Sequence, residues 1–186
     1  PKTVEHFKQL LEDRFYAGMS FYRVIDGFIA QGGDESDIDG TQATEALKAE
    51  FEIDWPTKPE DREEAENWTP MSWTPVQSED MFAAYTGFID GFPAARDEKK
   101  AGKAWLTHCP GTIAMARSDD PDSGATDFYI VIGQAPRYLD RNLTVFGRVV
   151  WGMDVVQRIK RGPTLKNGLI EGDLDRSWIK RMYLAS

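Results

Sequence analysis

The chain has 186 residues, 41% of them hydrophobic, with ten Phe, six Tyr and six Trp and a formal charge of −9; this is enough apolar material for one packed domain and too aromatic for a disordered polymer. The acidity opposes nucleic-acid phosphates and anionic lipid surfaces alike, so no nucleic acid is expected as a partner, and with no apolar run near the roughly 20 residues of a bilayer span, no membrane insertion either. Cys109 is the only cysteine, which excludes an internal disulfide, a CxxC redox pair and a cysteine-based zinc cage.

The chain opens Pro-Lys-Thr-Val without an initiator Met, so a processed or truncated N-terminus is expected. From Thr3 to about Gly18, Val4, Phe7, Leu10, Leu11 and Phe15 fall at helical spacing, with Thr3 as candidate N-cap. Two β-prone runs follow, 20–25 and 28–31, separated by Asp26-Gly27, a strong signal for a tight hairpin turn. Between about 35 and 103 the composition becomes acidic and Trp-rich without a sustained period, which reads as an insertion within a single domain. Only 49–55 makes a respectable strand there, 44–48 would supply a helical turn, and Trp55, Trp68, Trp73 and Trp105 are expected to pin the segment onto the domain surface. A wholly structureless stretch of that length is unusual, so partial order is expected.

Short strands resume at 111–117, 128–133 and 144–150, with a turn-rich loop at 119–124. Residues 152–162 read as a helix that buries Met153, Val155, Val156 and Ile159 and ends favourably in Lys160 and Arg161. Asn167-Gly168 marks a further turn, and 177–184 a last strand. Many short strands with two helices point to a mainly β, barrel-like fold.

Three segments carry a resemblance: FYRVIDGFIAQGGD (21–34), GTIAMARSDDPDSGATDFYIVIG (111–133) and YLDRNLTVFGRVVWGMDVVQRI (138–159). Their order, spacing and content resemble the cyclophilins, bacterial ones in particular, and PKTVEHFKQLL is similar to the helix that precedes them in that family; roughly half the chain aligns, and the middle insertion does not. The resemblance implies an antiparallel β-barrel capped by two α-helices, with a substrate groove on its outer face. It implies peptidyl-prolyl cis/trans isomerase activity without a cofactor on proline-containing unfolded or flexible polypeptides, by a monomer. The family's first two strands would precede residue 1. The bacterial likeness favours a periplasmic or secreted protein over a cytoplasmic one.

By position, the resemblance makes Arg23 the catalytic arginine with Gln31 beside it, and Phe28, Ile29, Tyr129 and Leu139 the apolar pocket for the proline ring. Ala116 and Arg117 take the strand-end positions whose backbone holds an extended peptide, Gly40 matches a glycine of the groove rim, and Tyr138 stands where tryptophan is frequent. That last change weakens the expectation of tight binding to the cyclic peptide drug that names the family. Asp127 replaces a frequent Gln, Leu143 a frequent His, and Tyr129 a frequent Phe. A carboxylate at 127 close to Arg23 would pair with it and lower activity, or favour basic residues near the substrate proline. This observation and the insertion prompt an alternative, a barrel that binds proline segments with little turnover.

The residue types suit the chemistry independently of the resemblance. Rotation about an X-Pro bond breaks amide resonance against a barrier of ~18–20 kcal/mol. In the twisted state the proline nitrogen regains a lone pair, so a guanidinium aimed at it binds that state better than either planar isomer. On a strand, Arg23 shares its face with Phe21 and Ile25 while Tyr22 and Val24 face away.

Other readings are weaker. Glu35, Asp37, Asp39 and Gly40 echo a calcium loop, but Ala46 stands where the bidentate glutamate belongs and no helix leads in, so no metal is expected. His108 and Cys109 are adjacent, and strand neighbours face opposite ways, so they form no nucleophile–base pair; both His108 and His6 read as structural. A hydrolase built on carboxylates of the acidic segment lacks any defined geometry.

Overall fold

The computed structural model describes residues 1–35, 45–55, 70–76, 80–97 and 102–185. They fall into two compact units, Pro1–Glu50 with His108–Ser186, and Phe51–Thr107.

The first unit opens with α1 (Lys2–Glu12). This helix is shorter than its apolar period predicts, because Arg14 takes a left-handed conformation (φ 58°) and turns the chain away. Thr3 does not cap it. Thr3 is buried inside the first turn, and the Lys2 and Thr3 N–H groups both donate to the Glu50 carboxylate at 2.9 Å, satisfying donors that every helix start leaves open. Beyond the turn, Tyr16 donates to Thr126 O at 2.7 Å and packs with Phe7, Leu10 and Phe128, the Tyr16 and Phe128 rings meeting edge to face at 5.3 Å.

Six antiparallel strands form one sheet. They are β1 (Ser20–Ile25), β2 (Ile29–Gly33), β8 (Thr112–Met115), β9 (Phe128–Val131), β10 (Val145–Arg148) and β11 (Ser177–Trp178), in the order β10-β8-β9-β2-β1-β11. The Asp26-Gly27 hairpin forms as expected, although β2 starts one residue later and runs on to Gly33. On β9 the two-residue period sorts side chains into two clusters. Phe128 and Ile130 pack with α1, while Tyr129 and Val131 join Ile29, Ala116 and Leu139 in the cluster that becomes the floor of the site.

Two expected elements shrink. β11 pairs only with Ser20 and Phe21, because the next part of β1's edge is taken: Val24 N donates to Gly168 O at 2.8 Å and Ile170 N to Tyr22 O at 2.8 Å. The second helix, α2 (Met153–Val156), is a single turn, and Val155 is half exposed rather than buried. Beyond it Arg158 N and Ile159 N donate to the Val155 and Val156 carbonyls at 2.9 and 3.1 Å, three residues back rather than four, and the Arg161 guanidinium takes the Gln157 and Ile159 carbonyls that follow. Met153, Val156 and Ile159 do pack inward, against Val24, Ala30, Ile132 and Ile170.

The second unit is more regular than its sequence indicated. β3 (Ile53–Asp54), β4 (Trp73–Val76), β5 (Tyr85–Ile89), β6 (Phe92–Arg96) and β7 (Lys103–Leu106) form an antiparallel sheet in the order β3-β7-β6-β5-β4. Only two residues of the expected 49–55 strand are extended, and 45–48 form no helical turn. β5 and β6 are joined at Asp90-Gly91, both at positive φ (48° and 82°), the turn chemistry that a tight hairpin demands. The tryptophans build this unit's own interior. Trp55 and Trp73 meet edge to face at 5.8 Å beside Ile89, Ala94 and Ala104, the Arg96 guanidinium lies 3.4 Å from the Trp55 centroid, and Trp105 packs with Ala83 and Ala95. Trp68 lies outside the described residues. Among the described residues no helix is long and apolar enough to cross a membrane.

Candidate active site

Arg23 lies on β1 where the register slips between Phe21 and Arg23. Tyr22 and Val24 on either side are fully buried, and Arg23 is half-buried, as strand alternation requires. Its Nη1 donates to Oε1 of the cross-strand Gln31 at 3.0 Å, and its Nε to the Asn167 carbonyl at 3.2 Å. Gln31 is held in turn, because its Nε2 donates to the Tyr22 hydroxyl at 2.7 Å. Two fixed acceptors therefore aim the guanidinium, and among the described residues Nη2 meets no protein acceptor.

Asn167 owes its position to the turn that follows it. Gly168 has φ +77°, and a Cβ there would lie 2.7 Å from the Val24 carbonyl oxygen. Only glycine lets this turn press against β1 and bring the preceding carbonyl to Arg23.

Beside Arg23 opens a groove of about 340 Å³. Phe28, Ile29, Tyr129, Leu139 and Leu143 supply its apolar part, and Ala116 and Arg117 line it from the end of β8. Ile29, Tyr129 and Leu139 are buried, whereas Tyr138 is two-thirds exposed at the rim. Leu139 projects from a 3₁₀ turn, Arg137–Leu139, that follows Pro136. Ala116 N donates to Asp127 O at 2.8 Å. The Arg117 side chain bonds to the Asn142 carbonyl, the Asn142 Oδ1, and the Ser118 and Asp119 carbonyls.

The Tyr129 hydroxyl meets His108 Nε2 at 2.8 Å. His108 Nδ1 and its backbone N lie 3.0 and 2.9 Å from Asp140 Oδ1, and Arg137 Nε donates to Asp140 Oδ2 at 2.7 Å. Burial and then the Asp140 charge push the Tyr129 phenol well above the ordinary tyrosine range, with Arg117 offsetting part of the rise. Burial alone would raise Asp140 too, but its bonds from His108 and Arg137 outweigh that and hold it below the usual carboxylate range. The chain of donors therefore runs from the phenol to His108 Nε2 and from Nδ1–H to a charged Asp140. This network fixes the ring that forms the groove floor, and it accounts for His108 as a structural histidine. His6 is likewise engaged, with Nε2 2.9 Å from Ala125 O.

Asp127 departs from its expected place. Its side chain is 1% exposed and is not part of the groove lining; Oδ1 accepts from Glu35 N at 3.2 Å. The carboxylate fills the space above Gly33, where a Cβ would lie 1.9 Å from Oδ1. An Asp is one methylene shorter than a Gln, which keeps it folded back on the β2 backbone. Gly40, with Asp37 and Asp39 of the calcium-like motif, lies outside the described residues. No group of His, Cys, Asp and Glu able to hold a metal occurs among the described residues.

Sequence reasoning thus gathers Arg23, Gln31, Phe28, Ile29, Ala116, Arg117, Tyr129, Tyr138 and Leu139 around one groove, and misses Tyr22, Asn167 and Asp140. Asn167-Gly168 was visible as a turn, but nothing local ties its carbonyl to a side chain 144 residues earlier. A family model for the cyclophilin-type peptidyl-prolyl cis-trans isomerase/CLD matches residues 1–174. The chain belongs to the cyclophilin family.

Relatives and solved structures agree with that assignment. A probable peptidyl-prolyl cis-trans isomerase of Brucella abortus is 30% identical over 179 residues, covering 92% of this cyclophilin and 66% of the relative. An Arabidopsis thaliana peptidyl-prolyl cis-trans isomerase is 28% identical over 183 residues, covering 98% and 61%. The chain therefore spans just under two thirds of the length of these curated relatives. The crystal structure of a cyclophilin from Hirschia baltica superposes with a TM-score of 0.66 at 32% identity, over 86% of this chain and 59% of that one. A Cryptosporidium parvum cyclophilin crystallised in the presence of the dipeptide Ala-Pro shares the fold with a TM-score of 0.56 at 17% identity, over 100% and 86%.

Proposed function

We propose that this cyclophilin is a peptidyl-prolyl cis/trans isomerase acting on X-Pro bonds of unfolded or flexible polypeptides, with Arg23 as its catalytic residue and no cofactor. The observation that carries the proposal is a guanidinium oriented by Gln31 and Asn167 beside an apolar groove.

In this reading the proline ring enters between Phe28, Ile29, Tyr129 and Leu139, and the flanking peptide lies extended along Ala116 and Arg117, with Tyr138 at the rim. Ring burial in a slot of low dielectric removes water from the amide and strengthens any hydrogen bond made there. As the C–N bond twists, the nitrogen pyramidalises and its lone pair localises. Arg23 donates to that lone pair, an interaction absent from both planar isomers, so it lowers the barrier rather than merely holding substrate. No covalent bond or proton changes hands, and an always-charged arginine suits a role that requires no titration. Gln31 is a positioning residue, since it acts by aiming Arg23. Asp127, the residue that favoured a binding-only barrel, is engaged by Glu35 N outside the groove lining, and this supports the turnover reading.

The test is cis-to-trans conversion of a short Ala-Pro peptide by the full-length protein. Acceleration is expected, with Arg23→Ala lowering kcat/KM by about 10²–10³. A folded full-length protein that leaves the rate at its uncatalysed value defeats the proposal.

A further inference from the structure

Asn167 and Gly168 form the only Asn-Gly pair in the chain; the other two asparagines, Asn67 and Asn142, are followed by Trp and Leu. A glycine has no side chain to crowd its nitrogen or restrict its backbone, so that nitrogen can reach the side-chain amide of the asparagine before it. Asn167 is exposed and left-handed (φ 52°, ψ 37°), at the end of a 3₁₀ turn, Thr164–Lys166, that buries none of its residues. Among the described residues its side-chain amide makes no hydrogen bond that would hold it back. The main-chain carbonyl of this same residue accepts from Arg23 Nε at 3.2 Å.

We propose that Asn167 is a modification site, at which spontaneous deamidation to isoaspartate switches Arg23 off. The Gly168 nitrogen gives up its proton and attacks Asn167 Cγ. The new C–N bond closes a five-membered imide as the Cγ–Nδ2 bond breaks, and the side-chain nitrogen leaves with a proton as ammonia. Water then opens the ring. Opening at Cγ gives aspartate with the main chain unchanged. Opening at the main-chain carbonyl carbon gives isoaspartate, in which the chain runs on through Cγ and the former carbonyl of residue 167 becomes a free carboxylate. That carbonyl is the acceptor of Arg23 Nε, so the new charge arises against the catalytic guanidinium. A carboxylate carries a second oxygen, and Nη2 meets no protein acceptor among the described residues, which leaves the fork open to side-on pairing through Nε and Nη2. A guanidinium paired in this way is neutralised and competes poorly for the proline nitrogen. The rate is set by the turn: Gly168 N donates to Pro163 O at 3.0 Å, and this bond opens before the nitrogen can attack. Exposed segments with no buried side chains open locally at low cost.

The loss of activity rests on the isomerase reading; the modification does not. The full-length protein is incubated at mildly alkaline pH, with mildly acidic pH as the slow control because attack requires the deprotonated nitrogen. Peptide mass spectrometry follows residue 167, with Asn142 as internal control. Isoaspartate is expected at 167 and not at 142, and kcat/KM on an Ala-Pro peptide falls in step with it, the isoaspartyl form being at least about tenfold less active. The NMR signal of Arg23 Nε–H shifts as isoaspartate forms, a report of the pairing that needs no turnover. An isoaspartyl methyltransferase with its methyl donor esterifies the new carboxylate, returns it to the imide and restores activity. Asn167→Gln, which would have to close a six-membered imide, keeps its own starting activity through the same incubation. No isoaspartate at 167 under conditions that convert a peptide of residues 165–169 overturns the site, and isoaspartate with full activity and an unshifted Arg23 signal overturns the switch. If the fresh protein turns over no peptide, the isomerase reading falls by itself, and mass spectrometry and the Arg23 signal still decide the proposal.

Discussion

Replacing Tyr129 by Phe removes a single oxygen atom and tests the buried network beneath the groove. The ring stays, and with it the volume of the floor, so no cavity forms. What is lost is the hydroxyl 2.8 Å from His108 Nε2, in a site where the histidine side chain is 1% exposed and Asp140 is 5% exposed. Water has no ready access to the abandoned nitrogen, and leaving such a buried group unsatisfied costs about 1–3 kcal/mol. For a chain of this size each kcal/mol moves the melting temperature by about 2–4 °C, so a fall of about 2–12 °C is expected. Apolar replacement of both partners is no rescue here, because loss of the His108 ring also strips Asp140 Oδ1 of a donor. Tyr129→Phe and His108→Leu should therefore couple by about 0.5–3 kcal/mol in a double-mutant cycle. Four of the six tryptophans lie in 51–107, so fluorescence reports mainly the other unit. Hydrogen exchange of amides on β8 and β9 in a urea series is the assay. A Tyr129→Phe protein as stable as the wild type, or more so, refutes the network.

Asp140 and Glu50 both sit below the ordinary carboxylate range, Glu50 because the Thr3 and Lys2 N–H bonds overcome a burial effect that alone would raise it. A carboxylate depressed on folding contributes stability that is present above its unfolded pKa of ~4 and is lost as pH falls through the lower folded value. Asp140→Asn and Glu50→Gln are each expected to flatten the acid limb of a melting-temperature profile, and an unchanged limb in both contradicts the assignment. Gly168→Ala is expected to cost about 1–3 kcal/mol through its positive φ and the clash with Val24 O. Because it displaces Asn167 from Arg23, it should also lower kcat/KM on an Ala-Pro peptide more than KM changes; a proportionate change in KM alone speaks against Asn167 as a positioning group. In the other unit, Arg96→Lys gives up the stacked guanidinium on Trp55, with an expected loss of about 0.5–2 kcal/mol in a tryptophan-fluorescence melt; an unaltered melt removes the cation–π contact from the account.

Periodicity misjudged the acidic segment because the five strands among its described residues are short and Trp55, Trp73 and Trp105 pack within the same unit. Alternation over four or five residues, broken by Pro75, Gly87 and Pro93, gives a weak local signal. The Asp90-Gly91 turn was the legible clue, as Asp26-Gly27 was for the first hairpin. Helix ends were misplaced for a related reason. Arg14 ends α1 through a conformation that arginine does not advertise, and after α2 the Arg158 and Ile159 N–H groups reach back three residues instead of four, to the Val155 and Val156 carbonyls.

The amino-acid order alone determined the family, because three contiguous motifs resemble the cyclophilins, and the antiparallel β class and nine of the groove-lining residues were legible as what that resemblance implies. Only the tertiary structure decided that Asp127 folds back over Gly33, that Asn167 and Gln31 together aim Arg23, and that His108 and Asp140 anchor Tyr129. Those decisions join groups up to 144 residues apart, and a hydrogen bond across such a separation depends on how the strands stack and where the turns deliver their carbonyls, which no local pattern encodes.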